Sequence, residues 1–141
     1  MLLLGPVNLK HVSRMLGGPG NDWQEGGDDA DYMYGGDWDD VMFGDHGNDV
    51  MSGQQGNDKM FGGEGWDVMF AFEGRDNVDG GAGVDYILSQ DGGDCLWGGA
   101  AVKDSGVYQY FDIQGTGLDE ENYTIIMDFW REDAVAIGNS S

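Results

Sequence analysis

The chain is 141 residues long and carries 27 acidic against 6 basic side chains, a formal net charge of −21. Such an acidic chain is unsuited to nucleic acid or to an anionic membrane surface, and no apolar run is long enough to insert into a membrane. The length suits one domain, the lone Cys95 excludes an internal disulfide, and 27 glycines with only 2 prolines and 12% aromatics weigh against simple disorder.

Residues 1–16 open with Met1-Leu2-Leu3-Leu4, too short and uncharged for a secretory signal. From Pro6 onward, Val7, Leu9, Val12, Met15 and Leu16 are spaced as one face of a short helix, with Lys10, His11 and Arg14 off that face. This segment is expected to cap the start of the region that follows, or to tether the chain to a partner.

Residues 17–97 fall into nine consecutive nine-residue units without insertion or deletion, beginning at Gly17, Gly26, Gly35, Gly44, Gly53, Gly62, Ala71, Gly80 and Ser89. The sixth place is always aspartate: Asp22, Asp31, Asp40, Asp49, Asp58, Asp67, Asp76, Asp85 and Asp94. The eighth place holds Gln24, then Met33, Met42, Met51, Met60, Met69, Val78, Ile87 and Leu96. Glycines at the first, second and fourth places allow positive φ, so the first six residues read as a tight turn. The last three, such as Val41-Met42-Phe43, read as a short strand whose middle side chain faces inward. Two units close one coil, with odd-numbered turns stacked on one edge and even-numbered turns on the other.

A core of one flexible apolar side chain per unit is too thin to offset the backbone entropy of so many glycines. Aspartates in adjacent stacked turns also repel, by about 3 kcal/mol per pair at an effective dielectric near 20. A hard divalent cation between them reverses that sign.

Residues 98–141 form a different segment. Gly98-Gly99 starts a tenth unit, but Lys103 occupies its sixth place and would repel a cation. Strands are expected at Val107–Ile113, Tyr123–Phe129 and Ala134–Ile137, with a turn at Gly115-Thr116-Gly117, as a β-rich cap on the far end.

The pattern G-G-x-G-x-D-x-U-x, complete in Gly62–Phe70 and in Gly80–Leu88, resembles the calcium-binding nonapeptide of the RTX family. The resemblance implies an all-β fold, a right-handed parallel β-roll whose calcium ions lie between each turn and the turn two units later. The earlier turn would give carbonyls from its second and fourth places, the later one from its first and third, and both sixth-place aspartates would complete an oxygen cage. Here that implies Asp49 and Asp67 with the carbonyls of Asp45, Gly47, Gly62 and Glu64, then Asp67 and Asp85 with Gly63, Gly65, Gly80 and Ala82. Towards the chain start it implies Asp22 and Asp40 with Gly18, Gly20, Gly35 and Asp37, and Asp31 and Asp49 with Gly27, Asp29, Gly44 and His46. Gly53, Gln55 and Gly56 would serve the sites built on Asp40, Asp58 and Asp76, and Asp94 would end the column.

Several units depart from the pattern: Asp29 and Trp38 stand at the fourth place, Asp45 and Gln54 at the second, and units seven and nine open Ala71-Phe72 and Ser89-Gln90. Carbonyl ligands survive a change of side chain, but a β-carbon can spoil the φ a turn needs. The expected load is therefore about four to seven Ca²⁺ ions.

No Ser-His-Asp set, metalloprotease helix or phosphate loop is present, and two histidines far apart are poor material for catalysis, so no enzymatic activity is expected. The outward residues of the even units, Tyr32, Tyr34, Val50, Ser52, Val68, Phe70, Tyr86 and Leu88, form an apolar band suited to a protein partner or to self-association. The other sheet carries Glu25, Lys59, Asn77 and Asp79 among its apolar neighbours. The resemblance implies an extracellular setting, reached by type I export; with no catalytic or toxin domain beside the roll, the chain is expected to be a structural or interaction module on the outside of an assembly such as a surface layer or virus particle. The alternative is an accessory module of a secreted enzyme such as an alginate epimerase or serralysin-like peptidase.

Overall fold

Short apolar runs separated by glycine–aspartate turns leave the chain one way to bury its eighth-place side chains, by coiling so that each run lies beside the run two units on. The computed structural model describes residues 12–98 and, as strands alone, residues 110–115, 125–127 and 134–139. Ten strands follow one another through the repeats: β1 (Arg14–Pro19), β2 (Trp23–Asp28), β3 (Tyr32–Asp37), β4 (Val41–His46), β5 (Val50–Gln55), β6 (Lys59–Gly65), β7 (Val68–Glu73), β8 (Asn77–Gly83), β9 (Tyr86–Ser89) and β10 (Cys95–Trp97). Odd-numbered strands pair in parallel in one sheet and even-numbered strands in the other, so two strands make a coil and the ten make about five coils.

The register is constant. Met15, Met33, Met51, Met69 and Ile87 align across the first sheet, and Gln24, Met42, Met60, Val78 and Leu96 across the second. Their side chains form a single buried column down the axis, with the methionines from Met33 to Met69 wholly enclosed. Gln24 joins this column with its Nε2 donating to the carbonyl of Tyr34 at 2.8 Å, while its buried Oε1 meets no donor.

Three expectations change. The strands are longer than the last three places of a unit; β3, for example, continues through Gly35, Gly36 and Asp37. Glycine at the first place bends the chain without ending the ladder, so the turn proper shrinks to the fourth, fifth and sixth places. The helix expected up to Leu16 is replaced at its end by β1, in which Met15 takes an inward place and pairs with Met33; among the described residues there is no helix. Ser13 stands at the sixth place of this extra half-coil, and its amide donates to Asp31 Oδ1 at 2.6 Å as an aspartate amide would. The earlier part of that expected helix, up to His11, lies outside the described residues.

Beyond Trp97, β11 (Tyr110–Gly115), β12 (Ile125–Met127) and β13 (Ala134–Asn139) lie where strands were expected, with shifted bounds. They extend the two sheets in parallel, β11 on β9, β13 on β11 and β12 on β10. The offset is no longer two units: Tyr86 pairs with Tyr110 and Cys95 with Ile125. The expected turn at Gly115-Thr116-Gly117 lies mostly outside the described residues.

Candidate metal centre

The second and fourth places of the turns take positive φ throughout the repeats, from Gly18 at 95° to Gly83 at 141°. The five non-glycine residues at such places keep the same hand: Asp29 (76°), Trp38 (88°), Asp45 (71°), Gln54 (81°) and Phe72 (71°). The expectation that these side chains would spoil the turn is thus not met; the stacking overrides their preference, at a cost of about 1–2 kcal/mol each. Gln90 is different. It holds the second place of unit nine without positive φ, and β9 stops just before it.

This backbone aims carbonyls into the gap between stacked turns. The second-place oxygens of Gly18, Asp45 and Gly63 lie against Gly36, Gly63 and Gly81 of the next turn. The fourth-place oxygens of Asp29, Gly47, Gly56 and Gly65 lie against Gly47, Gly65, Gly74 and Gly83. From above, the first-place oxygens of Gly35, Gly44, Gly53, Gly62 and Gly80 point back at the first place below. The third-place oxygens of Asp37, Gln55 and Glu64 accept from the fourth-place amides of Gly20, Trp38 and Gly47 at 3.1, 2.6 and 2.9 Å. Gly27, His46 and Ala82 occupy equivalent register positions. The His46 side chain pairs with Glu64, Nδ1 to Oε2 at 3.4 Å, with both side chains exposed.

The aspartate column runs beside these carbonyls. All nine sixth-place aspartates are buried, none more than 4% exposed. Oδ1 of each from Asp40 to Asp94 accepts the amide of the aspartate two units earlier, at 2.8–3.0 Å. The other oxygen, Oδ2, of Asp31, Asp40, Asp49, Asp58, Asp67 and Asp76 is buried with no hydrogen-bond donor. From Asp31 to Asp67 it folds back over the first place of its own unit, and a β-carbon at Gly26 would meet Asp31 Oδ2 at 2.8 Å, which explains the glycine there.

A buried acceptor without a donor costs about 1–3 kcal/mol, and more when charged. Burial accordingly pushes these carboxyls up, Asp40, Asp58 and Asp67 to about 6, Asp49 to about 7 and Asp76 to about 8; the peptide donors pull the other way but less. Neighbours in the column add to the rise, Asp67 and Asp31 on Asp49, and Asp94 and Asp58 on Asp76. Such a row needs either protons or cations.

The donor set fits a hard cation: unpartnered carboxylate oxygens beside carbonyls, with no nitrogen or sulfur among them. Among the described residues, no three His, Cys, Asp or Glu side chains converge, so any such site must draw on main-chain oxygens rather than on a side-chain cluster of the zinc kind. A further ladder escaped the sequence reading. At the fifth place, Asp39, Asn48 and Asn57 accept from the amides of Asn57, Trp66 and Arg75 at 2.7, 2.9 and 2.9 Å. Its trace in the sequence is the recurrence of Asn or Asp at that place.

Parallel coils locked by glycine turns around a buried aspartate column define the class as a calcium-binding β-roll. The family model for the RTX calcium-binding nonapeptide repeat (4 copies) matches residues 16–51, 43–71 and 70–101, well over half of the chain, and the chain belongs to this family. No curated protein matches the chain, and no solved structure does. No helix among the described residues is long and apolar enough to cross a membrane.

Proposed function

We propose that the roll is a structural and interaction module folded by calcium, working outside the cell or on the outside of a particle. The observation that carries this is the row of buried Oδ2 atoms with no donor. In a cation's absence these carboxylates oppose the fold; with one between successive turns they hold it. The ligands are the sixth-place aspartates of stacked turns with second- and fourth-place carbonyls below and first- and third-place carbonyls above, as in Asp49, Asp67, Asp45, Gly47, Gly62 and Glu64. Calcium modules of extracellular type bind at roughly 10⁻⁴–10⁻³ M, so the millimolar calcium outside cells would keep the column filled.

The contact face is the outer side of the odd-strand sheet. Tyr32, Val50, Val68 and Tyr86 align along it in one row, and Leu16, Tyr34, Phe70 and Leu88 in the next, with the buried Ser52 between Tyr34 and Phe70. Leu16 and Tyr32 are 56% and 44% exposed. A second copy or a protein partner packed there would bury this band, whereas the net charge of −21 disfavours an acidic polysaccharide.

The test is circular dichroism during a calcium titration with magnesium as control. Calcium should convert a disordered spectrum to a β spectrum at sub-millimolar to millimolar concentration. Magnesium, which demands tighter octahedral geometry, should not. A full β spectrum in excess chelator would refute the reading. Sizing of the calcium-loaded protein should show association that is lost on replacing Tyr34 and Phe70 with serine.

A further inference from the structure

We infer that the ion column on the odd-numbered edge stops one turn short, and that the Ser89 hydroxyl takes the cation's place at Asp94. The inference rests on the calcium reading above and concerns where the column ends. Asp94 is the last sixth-place aspartate, and its Oδ1 accepts the Asp76 amide at 2.9 Å like every other in the column. Its Oδ2 is not left over. Ser89, the first-place residue of the same unit and itself wholly buried, donates its hydroxyl hydrogen to that oxygen.

Ala71 provides the internal comparison. It also replaces a first-place glycine and is fully buried, but it brings a methyl group and no donor, and Asp76 Oδ2 keeps no partner. A side chain at the first place therefore does not relieve the carboxylate; a hydroxyl does. Two further features show that no cage is built above unit nine. Gln90 lacks the positive φ found at the second place of the other eight units, and the ladder above β9 abandons the two-unit offset for one that pairs Tyr86 with Tyr110.

A column of buried carboxylates needs an end. Above unit nine no turn follows at the two-unit offset, so Asp94 is an upper ligand only and its carboxylate ends the column. A neutral donor closes the column without charge and without calcium, so this end can hold its shape at ion concentrations too low to fill the rest. Of the seven turn-to-turn pairs that nine units allow, the pair of Asp76 with Asp94 is removed, and at most six remain.

The experiment counts calcium on the full chain by native mass spectrometry at saturating calcium, with circular dichroism confirming the folded state. Ser89→Gly restores a glycine and frees Oδ2, and should carry one ion more than the wild type. An equal count would overturn the inference while leaving the calcium reading intact, since the wild type would still be loaded. A wild type that binds no calcium would instead refute that reading. Asp94→Asn tests the same point without building a new site: an unchanged count supports the inference, and a count one lower contradicts it.

Discussion

At the scale of single residues, two glycines with the same hand of φ have different reasons to be glycine. Gly18 has φ 95°, and a β-carbon there would meet nothing within 4 Å. Gly65 has φ 147°, and its β-carbon would overlap the Gly47 carbonyl oxygen, a main-chain atom that cannot swing aside. Gly18→Ala should then cost only the conformational preference, about 1–2 kcal/mol. Gly65→Ala should cost about 3 kcal/mol or more, because two turns must separate. Denaturant unfolding at saturating calcium checks both, and equal losses would show that φ alone governs these places. Gly18 is open because, among the described residues, no turn lies below it; at Gly36, Gly63 and Gly81 a β-carbon would meet a main-chain oxygen of the turn below, so free space does not account for Asp45, Gln54 and Phe72 at the same place. The alternation of glycine was plain in the sequence, but which glycine avoids strain and which avoids collision was not; that depends on the neighbouring turn of the stack, two units away in the chain.

At the scale of the element, the aspartates form two columns, one on each edge of the roll, linked within each by the same amide-to-carboxylate bond. Each carboxyl from Asp40 to Asp76 is held above its ordinary value by burial, to between about 6 and about 8. In the metal-free fold the protonated form is therefore favoured over the unfolded chain. That contribution is complete below the ordinary carboxyl range near 4 and disappears as pH rises through about 6 to 8. Chelated protein should thus gain β structure as pH is lowered from 8 to 5, while its apparent calcium affinity falls over the same range because the ligands must lose protons. Ellipticity followed against pH in chelator, with a parallel calcium titration at each pH, tests both signs; order that increases with pH in chelator would contradict them. The column itself was legible from nine aspartates in phase. The first strand was not: Ser13 in place of aspartate and the absence of glycine before it hid the half-coil, and Met15 read as part of a helical face. The strand lengths were misjudged because a first-place glycine reads as a breaker, whereas here it continues the ladder.

At the scale of the whole molecule, the roll is quasi-one-dimensional, so each coil is stabilised by its neighbours and by the ions between them. The core can do little alone. It is a single file of side chains, mostly methionine, which fills space but specifies packing weakly. What the sequence left open at this scale is the ends, because the constant two-unit spacing fails where β9 and β10 pass to β11 and β12. Hydrogen exchange of the sixth-place amides tests the central claim most directly, since those of Asp31, Asp40, Asp49, Asp58 and Asp67 each donate to the carboxylate in the turn above. With calcium these amides should be protected together, and in chelator at neutral pH all five should exchange at rates near those of an unfolded chain. Protection that survives complete removal of calcium would contradict the account.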